Sequence, residues 1–135
     1  MRIAFGTDED TPLTSAVVEA LRGKGHEVVH VAPGRPWAEV GEAVGRAVAD
    51  GQADQGVVCC WTGTGVSIAA NKVPGVRAAL CTDAETARGA RRWNDANVVA
   101  LSLRLTSEQV ANEVLDAFLT TGPDESEREQ IDRLR

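Results

Sequence analysis

The chain has 135 residues, of which 43% are hydrophobic and 25% charged, values typical of a single globular domain with one core. Its 14 Lys and Arg against 20 Asp and Glu give a net charge of −6, which argues against a broad binding surface for nucleic acid or anionic membranes. No run approaches about 18 apolar residues, and the first residues turn polar too early for a signal peptide, so we expect a cytoplasmic protein.

Short apolar runs rich in Val, Ile and Ala alternate with stretches of helical periodicity. Each run has the length of a buried strand, and five strands are predicted, at residues 3–5, 28–31, 57–60, 78–81 and 98–101. Such alternation favours a parallel sheet with helices on both faces. The sequence therefore predicts an α/β fold, a single domain with a doubly wound, Rossmann-like, five-stranded parallel sheet.

Helix start and stop signals lie between these runs. Thr11 and Pro12 supply an N-cap and a first-turn proline for the first helix, which the Gly-Lys-Gly segment at 23–25 ends. A second helix is predicted at residues 37–49. Capping boxes that begin at two further residues are predicted to open two later helices: Thr82 and Thr106.

The composition changes after residue 122, because eight of the 13 residues from 123 to 135 are charged. We therefore divide the chain into an α/β domain at 1–122 and a charged C-terminal segment at 123–135. This segment contains two i,i+4 charge pairs, Asp124–Arg128 and Glu129–Arg133. Ile131 and Leu134 are free to touch a neighbour, which suits a docking helix. A frayed, solvated end fits the composition equally well.

Ligands of open parallel sheets collect at the carboxyl ends of the strands, so the residues that follow each strand are informative. The first strand is followed by three carboxylates: Asp8, Glu9 and Asp10. The third strand is followed by a glycine-rich turn, residues 60–67, that leads into a helix. Backbone N–H groups converge in such a turn and bind an anion or a developing oxyanion.

Cys60 is the candidate nucleophile or base of this turn, because the positive end of a helix activates a nearby thiol. Adjacent strand residues point to opposite faces, so Cys59 is expected to lie within the packing. Taken alone, a cysteine is most often a small buried hydrophobe, and the adjacent glycines favour the functional interpretation. The three cysteines have no paired zinc spacing and no secretory signal beside them, so we expect reduced thiols.

Other patterns favour structure over chemistry. His26 and His30 would lie roughly 13 Å apart along a strand, too far to chelate one metal ion. Three basic residues on one helix are predicted to form a solvated face: Arg88, Arg91 and Arg92. The glycine turn matches neither standard nucleotide motif. We therefore predict no metal and no other cofactor.

The chain resembles the ribose-5-phosphate isomerase B family, which includes the galactose-6-phosphate isomerase subunits. Two segments carry the resemblance, Cys-Trp-Thr-Gly-Thr-Gly-Val-Ser-Ile-Ala-Ala-Asn-Lys at 60–72 and Val-Pro-Gly-Val-Arg-Ala at 73–78, and it extends from the first strand through Arg104. The resemblance implies a homodimer with sites at the subunit interface. It also implies aldose–ketose isomerisation of a small sugar or sugar phosphate without a metal.

The resemblance further implies roles for individual residues. Cys60 would move a proton between C1 and C2 of the substrate through an enediolate. Thr62 and the turn amides would hold the developing oxyanion; the turn consists of Gly63, Thr64, Gly65, Val66 and Ser67. Further matching positions are predicted to contact substrate: Asp8 at its hydroxyls, Arg104 at a phosphate, and Asn71, Lys72 and Asn94. Trp37 falls near a family tyrosine and would keep an aromatic wall.

Several positions depart from the family pattern. Trp93 stands where the family usually has a histidine thought to open the sugar ring, although the position still belongs to the predicted binding site. Glu9 replaces a phosphate-contacting histidine, and a carboxylate there would repel a phosphate dianion. Trp61 replaces the first glycine of the turn. Only two residues are available in place of the basic tail of the family, Arg128 and Arg133.

These departures leave three functions open. The first is an isomerase with Cys60 as base and an altered substrate, which includes a substrate without the terminal phosphate. The second is a catalytically silent homologue that binds a sugar-like ligand or a protein partner. The third is an ordinary ribose-5-phosphate isomerase in which other groups cover the missing roles. The retained Cys60, Thr62 and Asn94 favour the first.

Overall fold

The computed structural model describes residues 1–134, which form a parallel sheet between layers of helices. Its strands are β1 (Arg2–Thr7), β2 (Glu27–His30), β3 (Gln55–Cys60), β4 (Ala78–Leu80) and β5 (Val98–Ser102). Its helices are α1 (Pro12–Gly23), α2 (Trp37–Ala49), α3 (Thr64–Asn71), α4 (Ala84–Asn94), α5 (Glu108–Thr120) and α6 (Arg128–Ile131). None of these helices is long and apolar enough to cross a membrane.

The strands lie in the order β2-β1-β3-β5-β4, and all neighbours are parallel. From β1 the chain first moves outward to β2 and then returns to place β3 on the other side of β1. The point where the order reverses therefore lies between β1 and β3, and it is here that doubly wound sheets bind ligands. The predicted five-stranded, doubly wound sheet is confirmed.

Side-chain alternation along β3 divides the core into two clusters. Cys59 belongs to the cluster that α1, α4 and α5 complete, whereas Cys60 belongs to the cluster under α2 and α3. Cys59 is fully buried and Cys60 is 6% exposed, which confirms that the two thiols have different surroundings. The doublet thus directs the two sulfurs to opposite faces of the sheet.

The helix starts show which capping predictions were correct. Thr11 and Thr14 form a reciprocal capping box at the start of α1, with N–H···Oγ distances of 2.9 and 3.2 Å, and α2 has its predicted bounds. The caps predicted at Thr82 and Thr106 are wrong by one residue. Asp83 accepts from the Thr86 N–H and Ser107 from the Val110 N–H, because side chains at these positions reach the third helical amide.

Arg91 corrects the prediction of a solvated basic face on α4. It is only 8% exposed, and its guanidinium donates to the Thr121 carbonyl at 2.9 Å and to the Asp95 carboxylate at 3.0 Å. It also lies 5.6 Å from the centre of the Phe118 ring. The residue fills the seam between α4 and α5, whereas Arg88 stays near the surface beside Glu85.

Residues 123–134 pack on α4 of their own protomer, where the Asp124 N–H donates to the Arg92 carbonyl at 2.8 Å. The predicted Asp124–Arg128 pair is absent from this region. The Asp124 carboxylate instead caps a 3₁₀ turn at Glu125–Glu127, and Arg128 contacts Glu125 and Asp95 at 3.2 and 3.9 Å. Ile131 is 4% exposed. Of the two alternatives for this segment, a docking helix and a frayed end, residues 128–131 form a short helix that packs on α4 of the same chain.

Candidate functional site

The loops that leave β3 and β5 run side by side at the carboxyl edge of the sheet. Backbone N–H groups of Leu103 and Arg104 donate to the carbonyls of Cys60 and Trp61, each at 3.0 Å. The Ser102 hydroxyl also donates to the Trp61 carbonyl, at 3.1 Å. These bonds fix the start of the glycine turn and bring the backbone of Arg104 beside it. The sequence analysis missed Ser102, whose signal is a lone polar residue at the end of a buried strand.

The turn itself depends on Gly63. It has a left-handed backbone (φ +78°), and a Cβ atom there would meet Leu80 Cδ1 at 2.6 Å and the Leu101 carbonyl carbon at 3.0 Å. Only glycine fits this position without displacing its neighbours. Gly63 is also the N-cap of α3, and no side chain of residues 1–134 caps that helix. The first N–H groups of α3 therefore remain available to an anion.

A pair of hydroxyl groups and an indole lie beside the start of α3. The hydroxyls of Thr62 and Thr64 lie 2.8 Å apart, so one of them donates to the other. The Trp37 indole packs over Gly65, since a Cβ atom at 65 would lie 2.7 Å from Trp37 Cε3. The hydroxyl pair and the indole are therefore both neighbours of the first turn of α3.

The carboxylates after β1 lie at the same edge. Asp8 is partly buried, and its Oδ1 atom is shielded from solvent without a hydrogen-bond partner in residues 1–134. Glu9 is exposed, while its backbone exchanges two hydrogen bonds with the Thr7 hydroxyl, at 2.7 and 3.3 Å. A buried acceptor without a donor is costly, so Asp8 is suited to receive a hydroxyl from a bound molecule.

The three thiols are free and differ in their electrostatic surroundings. Burial raises the pKa of Cys59 to about 12, and the nearby charges of Cys60 and Asp8 act in the same direction. Burial likewise raises the pKa of Cys81 to about 12, with a smaller contribution from Asp83. Both residues are therefore neutral thiols within the packing. Cys60 ends β3 at the carboxyl edge of the sheet, in the cluster under α2 and α3.

The remaining predicted site residues lie elsewhere in the protomer. Asn71 and Lys72 are at the far end of α3, roughly 12 Å of helix from the turn. Both amide atoms of Asn71 bond to the Ala78 backbone, at 2.9 and 2.7 Å, which ties α3 to β4. Trp93 and Asn94 end α4, and Arg128 lies on α6 beside Asp95. The single chain thus brings together only part of the predicted set: Asp8, Glu9, Cys60, Thr62, the residues 63–67 and Arg104.

A second group of these residues lines a cavity at the other side of β4. Asn71, Asn94 and Leu134 surround a space of about 410 Å³ near the start of this strand. Trp93 lies in an adjoining groove with Leu80, the residue that also contacts Gly63. Within residues 1–134 no cluster of His, Cys, Asp and Glu is arranged to hold a metal ion.

The fold and this edge define a doubly wound α/β protein whose candidate ligand site combines a thiol, a glycine turn and a partly buried carboxylate at the point of strand reversal. The model of the ribose/galactose isomerase family matches residues 3–134. The chain therefore belongs to that family, a family of sugar-phosphate isomerases, and the predicted resemblance and enzyme class are confirmed.

Similar proteins span several sugars. The chain is 39% identical to galactose-6-phosphate isomerase subunit LacB of Clostridium acetobutylicum, over 88% of this chain and 72% of the relative. It is 34% identical to D-erythrulose-4-phosphate isomerase of Pectobacterium atrosepticum, over 88% and 82%. The solved structure of ribose-5-phosphate isomerase B from Clostridium thermocellum superposes with a TM-score of 0.93 at 34% identity, covering 99% of this chain and 95% of that one.

Proposed function

We propose that the protein interconverts an aldose and a ketose by moving a proton between C1 and C2, with Cys60 as the base. The observation that carries this proposal is the position of the Cys60 thiol, which ends the central strand beside the uncapped start of α3. A base and an anion-binding helix start at one point suit a reaction that develops negative charge on oxygen next to the carbon that loses a proton.

The groups divide the reaction as follows. The Cys60 thiolate takes the proton from C2 of the open-chain aldose, and the electron pair of that bond forms the C1=C2 double bond. The carbonyl oxygen O1 becomes an enediolate oxygen, which the α3 N–H groups and Thr62 stabilise. The thiol then returns the proton to C1, while the O2 proton passes to O1, so the ketose forms without oxidant or reductant. Asp8 accepts a hydrogen bond from a substrate hydroxyl and fixes its orientation.

We further propose that the substrate differs from ribose 5-phosphate. The relatives are named for sugar phosphates of four to six carbons, so the same reaction occurs with different substrates in this family. Glu9 adds negative charge beside Asp8 and Asp10, which disfavours a phosphate dianion at this end of the site. Arg128 has acidic partners in Asp95 and Glu125, so less of its charge is available to a ligand. A substrate without a terminal phosphate is included in this proposal.

A homodimer with shared sites supports the same chemistry. Three apolar side chains are more than half exposed on or beside the loops of the site: Trp61, Ile68 and Leu105. In one protomer Asn94 and Trp93 lie apart from Cys60, and a two-fold partner would bring a second copy of them to it. The expectations of a tail unit at 123–135, an Arg104 phosphate contact and a cytoplasmic location stay predictions.

The two alternatives have less support. A silent homologue would need no buried acceptor such as Asp8 beside a thiol and an uncapped helix start. This chain has all three. An ordinary ribose-5-phosphate isomerase would need cationic groups where Glu9 places a carboxylate. No specific observation favours either alternative over an active isomerase with an altered substrate.

Solvent isotope exchange tests the base. The enzyme is incubated in D₂O with a panel of aldoses and ketoses of three to six carbons. A sugar that is a substrate should gain deuterium at C1 or C2, which NMR detects. Cys60→Ala should abolish this exchange with its thermal unfolding intact, whereas Cys59→Ala, the matched control in the adjacent position, should retain it. Equal exchange by the Cys60→Ala variant and the parent protein would show that another group is the base.

A further inference from the structure

The chain contains two histidines, His26 and His30, and both lie away from the site that contains Cys60. This matters because most free sugars of five or six carbons are closed rings. An enzyme that isomerises them first has to open the ring. Histidine is the side chain whose ordinary pKa suits that proton transfer at neutral pH.

His26 is at the wrong edge of the sheet. It precedes β2, at the amino ends of the strands, and its Nδ1 atom lies 3.0 Å from the amino terminus at Met1. Burial lowers the pKa of His26, and the positive charges of the amino terminus and Lys24 lower it further. Cys60 lies at the carboxyl ends of the strands, so the full length of a strand separates it from His26.

His30 is at the correct edge but on the wrong face. It ends β2, two strands from β3, and the pairing of Phe5 with both His30 and Val57 places its Cα roughly 14 Å from that of Cys60. Its ring makes an edge contact with Phe5, at 5.8 Å between ring centres, and lies 3.4 Å from the Arg22 guanidinium. Phe5 packs in the same cluster as Cys59, and Cys60 belongs to the other.

The other ionisable groups at the site do not supply the missing step. Opening a cyclic hemiacetal breaks the bond between C1 and the ring oxygen, removes the proton of the C1 hydroxyl and gives a proton to the ring oxygen. A guanidinium such as that of Arg104 does not give up a proton, and carboxylates such as those of Asp8 and Glu9 can take the proton of the C1 hydroxyl but leave the ring oxygen without a matched acid. Cys60 already serves as the base that moves the proton between C2 and C1. A second copy of the chain that presents Trp93 and Asn94, beside β4, keeps its own His30 on β2, at the opposite edge of the sheet.

We infer that the enzyme takes sugars that are already open-chain, an inference that rests on the proposed isomerase function. The substrate class follows from chain length. A sugar of four carbons whose C4 oxygen is esterified or replaced has no hydroxyl that can close a five- or six-membered ring on its carbonyl. Such a substrate presents C1 and C2 to Cys60 directly, so its isomerisation does not need a ring-opening acid.

The dependence of rate on enzyme concentration tests this inference. With D-erythrose 4-phosphate, which stays acyclic, the initial rate should remain proportional to enzyme. With D-ribose 5-phosphate it should level off, because spontaneous ring opening becomes limiting. D-ribulose 5-phosphate, a ketose of five carbons that also cannot close such a ring, separates ring closure from chain length and should again give a proportional rate. Values of kcat/KM for the ring-forming sugar should be lower by about tenfold or more, since only its open fraction binds.

The outcomes are distinguishable from failure of the proposed function. A rate from ribose 5-phosphate that rises with enzyme beyond the spontaneous opening rate would overturn the inference and leave the isomerase standing. His30→Ala should leave turnover of all three phosphates unchanged, and selective loss with ribose 5-phosphate would assign ring opening to His30. Turnover of neither acyclic phosphate, together with deuterium exchange into a ring-forming sugar of the panel, would also overturn the inference. No exchange with any sugar of the panel would instead be failure of the proposed isomerase, and the role of Cys60 is decided separately by the Cys60→Ala variant.

Discussion

The Trp37 indole occupies the space that a side chain on Gly65 would need, since a Cβ atom at 65 would approach Trp37 Cε3 to 2.7 Å. Trp37 is the first residue of α2 and Gly65 the second of α3, so this contact is the one beside the turn among several by which α2 packs on α3. The indole is half exposed, with one face on the turn and the rest open to solvent. It therefore sets one wall of the space in front of the α3 amides.

Gly65→Ala should displace the Trp37 indole. The loss in kcat/KM, expressed as a free energy, should exceed the loss in the free energy of unfolding. The added methyl group would push the indole or tilt the first turn of α3, with an overpacking cost of about 1–3 kcal/mol. Gly23→Ala is the matched control, because a Cβ at 23 meets nothing within 4 Å. Adding Trp37→Ala to Gly65→Ala should recover the lost stability. Wild-type melting and kinetics in Gly65→Ala would contradict the contact.

Arg91 should be the most costly arginine of α4 to remove. Arg91→Ala leaves the Asp95 carboxylate and two backbone carbonyls, of Ala96 and Thr121, without their buried donor, at a cost of about 3–5 kcal/mol. Arg88→Ala, which removes only a surface pair with Glu85, should change the free energy of unfolding by about 0.5 kcal/mol or less. Urea denaturation of both variants checks this, and similar values would show that Arg91 is not structural.

Alkaline pH should destabilise the protein through two buried thiols. The pKa of Cys59 and of Cys81 is raised from 9.0 to about 12 in the folded chain, so the folded state holds these protons more tightly than the unfolded state. Their contribution is complete below pH 9 and is lost between pH 9 and about 12. In that window the free energy of unfolding should fall by up to about 1.4 kcal/mol per pH unit for each thiol.

Urea denaturation between pH 8 and about 10.5 measures this slope, and the chain has no tyrosine to titrate over the same range. Cys81→Ala should be less stable at pH 8 and should also lose stability more slowly as pH rises. An unchanged slope in Cys81→Ala and in Cys59→Ala would rule out thiol ionisation as the cause.

Local patterns predicted the elements and the edge of the sheet, and distant packing decided the rest. Alternation along β3 separated Cys59 from Cys60 correctly, because adjacent strand residues face opposite sides whatever the fold. Arg91 was misplaced because its burial depends on α5 and on Thr121, 30 residues further along the chain. The Trp37–Gly65 contact likewise joins two helices whose crossing no local pattern specifies.

Ribose 5-phosphate should be a poor substrate, with kcat/KM below about 10⁴ M⁻¹s⁻¹, because Glu9 opposes a terminal dianion. Glu9→Gln removes that charge and should raise kcat/KM for phosphorylated sugars about fivefold, which corresponds to about 1 kcal/mol at an exposed site. Asp10→Asn removes the same charge from the next position and should have a smaller effect. An ordinary efficiency in the parent protein would refute the altered-substrate proposal.

The last prediction separates two apolar side chains of the tail, which the sequence suggested would both touch a neighbour. Ile131 is 4% exposed within its own protomer, whereas Leu134 is 50% exposed at the cavity beside Asn94. Ile131→Ala should therefore lower the free energy of unfolding by about 2–4 kcal/mol, since it leaves a cavity under α6. Leu134→Ala should leave protomer stability nearly unchanged, and weaken dimerisation if a partner covers that side chain.

Sedimentation at micromolar concentration provides the readout for assembly. The full chain should be a homodimer. At equal folded fraction, the Leu134→Ala dimer should dissociate at a higher protein concentration than the Ile131→Ala dimer. Deletion of residues 123–135 should weaken dimerisation or ligand binding. The reasoning is that half-exposed apolar surface gains about 25 cal/mol per Å² when a partner removes it from water, whereas Ile131 has nothing further to bury. A monomeric full chain, with the truncated chain binding ligand equally tightly, would exclude shared sites.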